Sequence, residues 1–552
     1  MKNIGIQILL CLVVYSYSQD FPDLSVISEE QIRADLYHLT SQEFAGREAG
    51  VEGGIRVGDF IAESLRQAGL QPLPGIIGKE STSSFFQEFQ IKGMKPCDIT
   101  AELSISFSDS IIPATNGIDF HYFFNSDQSL DTKTSLVFAG YAIEAPEYFY
   151  NDFSAQPVKD KIVLGLYGEP LEKDTLVFFN GTHQTKYSME YWKAKTVAEK
   201  GGKALILIPT PDNKEAYSKI LQRRLAEKNQ IKFVLAENLA VPVIYLSTEF
   251  SDRLWNIVFR QNFESMNDSL RDYLKDHLRK LLSWPAEKGL EYPVKLAIDY
   301  KNEEIRKCGN IIAYRHNTEH DISDEYLIIG AHYDHEGMKD RKIFPGADDN
   351  ASGVVANLQV AMAYVKSTKN LQLKRNLVFA FWDAEEKGQL GTQYFVEHSP
   401  IPLEKLKVVF NMDMIGRDAS FNFAALRQPM KDENAENKVM IFYSAQTPFL
   451  RDYANDANHS LQLHLLFDPN VFFTSGSDHV NFHSRKVPVV YYFTGFHTDY
   501  TSVNDTADKI NYSKLTRITR HIANFLYLLV NAEVLPEFDS RILSAPEGDF
   551  IR

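Results

Sequence analysis

The carboxyl-terminal half of the chain alternates short apolar runs with amphipathic helical patterns. The apolar runs predict strands at 326–330, 377–382, 408–412, 439–443 and 488–493. A helix is predicted over about 352–365, and a last helix carries an apolar face from Leu515 to Leu529. Because strands that alternate with amphipathic helices form a sheet covered on both faces, the pattern predicts an α/β fold with a doubly wound, mostly parallel sheet.

Two helices near the amino terminus are predicted from their end signals. Ser28 followed by Gln31 forms a capping box, which predicts that a helix begins there. A second helical pattern contains Ile61 and Leu65 and stops at Gly69. Glycine readily takes the left-handed conformation that follows a helix, so we expect the second helix to end at this residue.

A segment of different character interrupts the main pattern. Short strands are predicted at 136–141, 161–166, 203–208 and 241–246, with a helix at 189–200. We therefore predict a smaller α/β module inserted over residues 111–290. Residues 19–110 and 291–552 then form the two parts of the main domain.

Charge and composition exclude several classes of partner. The chain has 552 residues and a formal net charge of −15, which disfavours binding to nucleic acid or to anionic membranes. A basic start, a short apolar run and small residues before Gln19 predict a cleaved signal peptide over residues 1–18. The run is too short for a membrane anchor, so we expect a secreted or periplasmic protein that is not stably inserted in a membrane. In that oxidising setting Cys97 and Cys308 either pair or stay as buried thiols.

Side chains that bind metals follow the predicted strands of the main domain. They follow three strands and occupy one loop between strands: His332 with Asp334, Asp349, Glu385 with Glu386, and Asp413. The carboxyl ends of parallel strands meet at one edge of a sheet, so we expect these groups to lie close together. One His-x-Asp pair alone would more often be an ordinary ion pair, but four such positions at one edge indicate a site.

Imidazole and carboxylate ligands with no cysteine nearby suit a catalytic zinc ion. Asp349 sits on a loop between two ligand sets, where its carboxylate can bridge two ions. Glu385 and Glu386 can divide the work, one binding metal and the other taking a proton from water. Asp334 lies two residues beyond His332 and is expected to accept the other ring N–H of that histidine.

Several motifs of this sequence occur together in one known family. They are Glu43-Phe-Ala-Gly-Arg47, Gly330-Ala-His-Tyr-Asp-His335, Gly346-Ala-Asp-Asp-Asn-Ala-Ser-Gly353, Trp382-Asp-Ala-Glu-Glu386, Asn411-Met-Asp-Met-Ile-Gly416, Ser477-Asp-His479 and Asp505-Thr506. Over about residues 28–533 the chain resembles family twenty-eight of the metallopeptidases, the zinc aminopeptidases with two metal ions. The inserted module resembles a protease-associated (PA) domain, which either limits access to the site and contacts long substrates or only adds stability.

The resemblance implies roles for individual residues. His332, Asp349 and Asp413 would hold one zinc ion, and Asp349 with Glu386 would form part of a second site. Glu385 would be the general base. Arg417 would either orient substrate or be a surface arginine. A cis peptide bond between Asp349 and Asn350 is also implied.

The chain departs from the family at one ligand of the second zinc site. Thr501 stands where the family has a histidine, and a threonine hydroxyl is a poor zinc ligand. Three arrangements follow. His497 replaces the missing imidazole, a water completes the site, or the second ion is absent, so the chain binds one or two zinc ions.

The leading hypothesis is a secreted zinc aminopeptidase that removes amino-terminal residues from peptides with metal-activated water. A related carboxypeptidase or glutaminyl cyclase on the same fold is an alternative, because the motifs do not separate these activities. A pseudo-enzyme that binds peptides is a third hypothesis, and it rests on the loss of histidine at Thr501. The sequence carries no signal for an oligomeric state.

Overall fold

A computed structural model describes most of the chain. The described residues are 24–76, 84–107, 110–154, 157–170, 179, 185–237, 240–259, 262–265, 292–301, 303–316, 324–367, 373–430, 432–469, 476–540 and 542. The predicted signal peptide lies outside them. Within these ranges, no helix combines the length and the apolar character needed to cross a bilayer.

Strands form two large sheets and two short hairpins. In chain order they are β1 Gln71–Pro72, β2 Phe86–Met94, β3 Ile99–Phe107, β4 Ser110–Ala114, β5 Phe120–Tyr122, β6 Leu130–Phe138, β7 Glu144–Ala145, β8 Tyr150–Asn151, β9 Ile162–Leu166, β10 Ala204–Ile208, β11 Lys232–Leu235, β12 Val243–Leu246, β13 Tyr292–Tyr300, β14 Glu304–Arg315, β15 Tyr326–His332, β16 Met338–Lys339, β17 Lys342–Ile343, β18 Asn376–Trp382, β19 Leu406–Met412, β20 Lys438–Tyr443, β21 His464–Asp468 and β22 Val489–Phe493.

The α-helices of the described residues are α1 Glu29–Leu39, α2 Glu52–Ala68, α3 Glu190–Glu199, α4 Lys214–Ala226, α5 Thr248–Phe259, α6 Gly353–Ser367, α7 Leu390–Glu397, α8 Phe449–Ala457, α9 His479–His483 and α10 Tyr512–Asn531. The predicted end signals are confirmed. Ser28 accepts a hydrogen bond from the Gln31 N–H at the start of α1, and Gly69 takes a left-handed φ of 89° after α2.

The large sheet has the strand order β11-β2-β14-β18-β15-β19-β22-β20-β21, with β1 paired to β14. Its centre, β18-β15-β19-β22, is parallel, and antiparallel strands flank it on both sides. Helices α1, α2, α6 and α10 cover one face, while Phe395 of α7 and Phe482 of α9 pack with Trp382 on the other. The predicted α/β fold with helices on both faces is therefore confirmed.

The second sheet has the order β4-β3-β13-β6-β9-β10-β12-β5, and the four strands predicted in the insert lie side by side and parallel as β6, β9, β10 and β12. Its strands span residues 99–300, which is wider than the predicted 111–290. The flanking strands β3 and β13 pair with each other, with Ile105 opposite Val294. In β13 buried and exposed positions alternate, so its pattern suits either sheet and only the pairing decides. The PA-like character of this module stays a prediction.

The insert and the main domain meet around one buried carboxylate. Glu397, at the end of α7, accepts a hydrogen bond from the Tyr191 hydroxyl of α3. Its Oε1 atom also lies 3.6 Å from Lys195 Nζ and 3.2 Å from Arg485 Nη2. The side chain of Glu397 is only 3% exposed, so its ion pairs with these two cations are largely shielded from water. This contact ties the insert to α7 and to the segment after α9.

The two described cysteines do not form a disulfide. Cys97 is exposed, whereas Cys308 is buried in β14. The two cysteines are therefore separate thiols, as one of the two alternatives predicted, although only Cys308 is buried.

We predict that Phe410→Ala lowers the free energy of unfolding by about 3–5 kcal/mol, because it leaves a cavity in a packed core. Phe410 is fully buried, and its ring meets that of Phe525 edge to face with 5.0 Å between centroids. Urea denaturation followed by circular dichroism measures the change. Phe149→Ala is the matched control, because Phe149 is 98% exposed and its loss should leave stability nearly unchanged. Equal effects of the two substitutions would contradict the core assignment.

Candidate metal centre

The carboxyl ends of the central strands bring three predicted ligands together. His332 is the last residue of β15, Asp413 directly follows β19, and Asp349 lies in the turn before α6. The Nε2 atom of His332 lies 3.4 Å from Asp349 Oδ1 and 3.4 Å from Asp413 Oδ1. These three residues form the first ligand group, and they are the set that the sequence predicted for one zinc ion.

A second ligand group contains a histidine that the sequence analysis did not assign. The Nδ1 atom of His335 lies 2.7 Å from Glu386 Oε1 and 3.8 Å from Asp349 Oδ2. Asp349 therefore offers one oxygen to each group, as expected of a bridging carboxylate. The available signal was the spacing, because His335 lies three residues after His332 in the same motif and both follow one strand end.

His497 and Thr501 lie outside both groups. The Nε2 atom of His497 is 3.2 Å from Asp348 Oδ2, so this ring faces the neighbour of the bridging residue rather than Glu386. Thr501 is exposed. One predicted arrangement had His497 replacing the missing histidine. The described structure does not place His497 in the second ligand group. The carboxylates of Asp348 and Asp349 have different partners, and His497 contacts that of Asp348.

Asp334 orients the turn that carries both glutamates. Its Oδ1 accepts the Glu385 N–H at 3.0 Å, and its Oδ2 accepts the Glu386 N–H at 3.2 Å. The ring of His332 reaches Asp334 mainly through the backbone, with Nδ1 3.1 Å from the carbonyl oxygen and 3.6 Å from Oδ1. His332 thus contacts Asp334 through the backbone carbonyl rather than mainly through the carboxylate. The carboxylate instead accepts the N–H groups of the two glutamates.

The loop that carries Asp349 is held from behind by another carboxylate. Asp505 Oδ2 accepts the N–H groups of Asp348 and Asp349 at 2.9 and 3.1 Å. The Asn350 amide donates to the Met412 carbonyl at 2.8 Å, which ties the loop to the end of β19. The Asp349–Asn350 peptide bond is cis, as the family resemblance implied.

Arg47 supports the same region from the amino-terminal segment. It is 1% exposed, and its guanidinium donates to the backbone carbonyls of Tyr333, Pro345 and Gly346 at 2.6–2.9 Å. Burial lowers the pKa of Arg47 to about 10, while the nearby charges of Asp349 and other carboxylates oppose that change. Arg47 thus joins the segment after β15 to the Asp349 loop.

Arg417 has a supporting place rather than a free one. Its Nη2 lies 2.9 Å from Asp499 Oδ2, and its Nη1 lies 3.6 Å from Asp505 Oδ1. Because these carboxylates engage the guanidinium, Arg417 supports Asp505, which in turn holds the Asp349 loop. A direct role of Arg417 in orienting substrate stays a prediction.

Crowding of acids marks the centre. Burial, with the charge of Glu336, raises the pKa of Glu386 to about 8. Burial and the charge of Glu386 raise the pKa of Asp349 to about 6, and burial raises the pKa of Glu385 well above its usual range. Such shifts arise because buried like charges repel one another, and a bound cation relieves that repulsion.

The two histidines respond to this environment in opposite directions. Burial lowers the pKa of His332, but the charges of Asp413 and Glu385 outweigh it and raise this pKa well above the usual value. Burial lowers the pKa of His335, which favours the neutral imidazole that binds metals.

The donor set fits zinc. His332 Nε2 and Asp413 Oδ1 are buried and have no hydrogen-bond partner among the described residues. Ligand atoms about 2.0–2.2 Å from a tetrahedral zinc ion lie about 3.3–3.6 Å apart. The two 3.4 Å separations of His332 Nε2 from its carboxylate partners match this spacing. Nitrogen and oxygen ligands without sulfur also suit a catalytic rather than a structural zinc site.

Tyr500 is a second residue that the sequence analysis did not assign to the site. Burial raises the pKa of its phenol, and the charges of Asp349, Glu386, Asp413 and Glu385 raise it further. Its hydroxyl therefore interacts electrostatically with the carboxylates of both ligand groups. No pattern in the sequence distinguishes this tyrosine from the other 26.

Comparison with known proteins agrees with this geometry. Residues 310–526 match the sequence profile "Peptidase family M28", and this range contains every residue of both ligand groups. Over residues 310–526 the chain is therefore similar to M28 peptidases. Among curated relatives, "Leucine aminopeptidase 2" of Trichophyton equinum is 33% identical over 193 residues, which is 35% of this chain and 34% of that one.

Two further proteins are similar to this chain. "Glutamate carboxypeptidase 2 homolog" of Caenorhabditis briggsae is 32% identical over 131 residues, or 23% of this chain and 16% of that one. The solved structure "Aminopeptidase from Aneurinibacillus sp. strain AM-1" is 17% identical and covers 95% of this chain and 99% of that one at a TM-score of 0.46. The chain spans about a third of the length of the first curated relative.

We predict that Asp334→Asn weakens zinc binding roughly 10- to 100-fold, the usual effect of losing a residue that orients metal ligands. The amide NH2 would face one of the two N–H groups that the carboxylate now accepts. Competition with a chelating dye measures the affinity. Asp340→Asn is the matched control, because Asp340 lies exposed between β16 and β17. Unchanged affinity in Asp334→Asn would show that the orienting role is wrong.

Proposed function

We propose that this M28 domain is a zinc-dependent aminopeptidase. The observation that carries the proposal is the pair of imidazole–carboxylate groups that share Asp349, with Glu385 next to the ligand Glu386. The printed name of the relative "Leucine aminopeptidase 2" supports the same activity. The substrates are then peptides with a free amino terminus.

Zinc held in these groups would supply Lewis acidity toward a peptide carbonyl and a lowered pKa for a water. In our proposal, Glu385 is the general base that takes a proton from the attacking water and passes it to the leaving amine. His332, Asp349 and Asp413 hold one ion.

We further propose that the chain binds two zinc ions, with His335 in place of the histidine missing at Thr501. His335, Asp349 and Glu386 then hold the second ion. Support comes from the grouping of these three residues, whose ligand atoms lie within 4.8 Å of one another, and from the separate engagement of His497 with Asp348. With an imidazole in each group, the main argument for a pseudo-enzyme loses its basis.

A carboxypeptidase is the second candidate. The observation that favours it is the local similarity to "Glutamate carboxypeptidase 2 homolog", which is 32% identical over 131 residues. Aminopeptidase activity is preferred because the leucine aminopeptidase match is longer, at 193 residues. Glutaminyl cyclisation has no observation of its own here. Substrates blocked at either the amino or the carboxyl terminus separate the two peptidase activities.

We also propose that the protein is exported and that its insert is a PA-like module that acts on peptide access. The basic and apolar start of the chain supports export. Four parallel strands beside the main domain, held through Glu397, support a fixed position of the insert relative to α7.

Glu385→Gln is expected to lower kcat on leucine p-nitroanilide by roughly 10²–10⁴-fold, because it removes a general base. Zinc content should stay at the wild-type value. The control Glu404→Gln changes an exposed glutamate in the turn before β19 and should leave kcat unchanged. Activity retained in Glu385→Gln would exclude this residue as the base. An inactive wild-type protein with two bound zinc ions would overturn the proposed function.

For the second ion, we expect His335→Ala to bind one zinc ion per chain instead of two. His497→Ala is the matched control and should still bind two, because its ring contacts Asp348 rather than a zinc ligand. Plasma mass spectrometry of dialysed protein counts the ions. Two ions in His335→Ala, or one in His497→Ala alone, would return the missing-ligand role to His497.

A further inference from the structure

We propose that Gln389 is a positioning residue for Glu385, an inference that rests on the proposed function. The Nε2 atom of Gln389 donates to Glu385 Oε1 at 3.0 Å. Within the described part of the chain, no other side chain donates a hydrogen bond to this carboxylate. A single donor fixes the orientation of the carboxylate and leaves Oε2 to accept the proton.

The backbone of Gln389 is itself held firmly. Its N–H donates to the Glu385 carbonyl at 2.8 Å, and its φ of 54° turns the chain into α7. Its carbonyl accepts the Asn481 amide and the Thr392 hydroxyl, both at 3.1 Å. The amide that orients Glu385 therefore extends from a backbone position fixed from both α7 and α9.

Cross-links between α7 and α9 make the support rigid. Asn481 Nδ2 also donates to the Thr392 hydroxyl at 3.0 Å, and Thr392 donates to Asp478 Oδ1 at 3.0 Å. The far end of α7 carries Glu397, which binds the insert. Helix α7 thus directly follows Gln389, which orients the base, and its last residue contacts the insert.

A misplaced general base lowers the rate of the proton transfer more than it lowers substrate affinity, because ground-state binding does not need the base. Loss of a merely structural hydrogen bond would instead change stability or zinc content. The expected signature of Gln389 is therefore a lower kcat with KM and zinc content near wild type.

The test compares Gln389→Leu with the matched control Gln393→Leu on leucine p-nitroanilide. Gln393 lies one helical turn further on and hydrogen-bonds Tyr191 of the insert rather than Glu385. We expect Gln389→Leu to lower kcat by roughly 10-fold or more, with KM within about twofold of wild type. Gln393→Leu should keep the wild-type kcat. Gln389→Asn retains an amide and suits the left-handed backbone but is one methylene too short to reach, so it should resemble Gln389→Leu.

A folded, zinc-loaded Gln389→Leu whose kcat is within about twofold of wild type would overturn the inference, and so would a loss of kcat that accompanies loss of zinc. Crystal structures of the wild-type protein and of Gln389→Leu distinguish failure of the positioning role from failure of the proposed function. If the wild-type protein does not cleave aminoacyl amides, the proposed function fails. A Glu385 carboxylate that turns away in Gln389→Leu still supports the positioning role, and one that keeps its place refutes it. If Gln389→Leu does not fold, the same measurements on Gln389→Asn decide.

Discussion

Mutual repulsion among buried carboxylates is the constraint on which this structure depends. Asp349, Glu386 and Asp413 meet at one edge of the large sheet, where burial weakens their hydration. The raised pKa values of Asp349 and Glu386 express the electrostatic cost of this arrangement. Two imidazoles share the space and carry at most one positive charge each. A bound divalent cation would balance this charge, so we expect metal binding and the stability of this edge to be coupled.

The protein holds these repelling groups in place with hydrogen bonds to the backbone. Asp334 accepts the N–H groups of the two glutamates, and Asp505 accepts those of the Asp349 loop. Arg47 binds the Tyr333 carbonyl after β15 and the Pro345 and Gly346 carbonyls at the start of that loop. Such contacts act on the main chain, so each ligand side chain keeps its free atoms for a metal. Gln389 differs, because its amide donates directly to the side chain of the proposed base.

The histidine of the second ligand group comes from a different segment of the chain from the position of Thr501. Thr501 is exposed, yet an imidazole still faces Glu386, because His335 extends from the segment after β15. Both histidines then come from one strand end, three residues apart. His497 is engaged with Asp348 behind the bridging loop, where it supports the loop that carries Asp349. In our proposal, the second imidazole therefore comes from a different segment of the chain and is not lost.

Local patterns in the sequence determined several helices, the central strands of both sheets and the first ligand group. Periodicity and caps act over a few residues, and the rule for parallel strand ends places His332, Asp349 and Asp413 together. Only the tertiary structure decided that His335 faces Glu386 and that β3 and β13 belong to the second sheet. These contacts join segments about 50 to 190 residues apart, and a side chain meets one of several chemically equivalent partners there. Sequence spacing cannot rank such partners, because the choice depends on how the strands and loops pack in space.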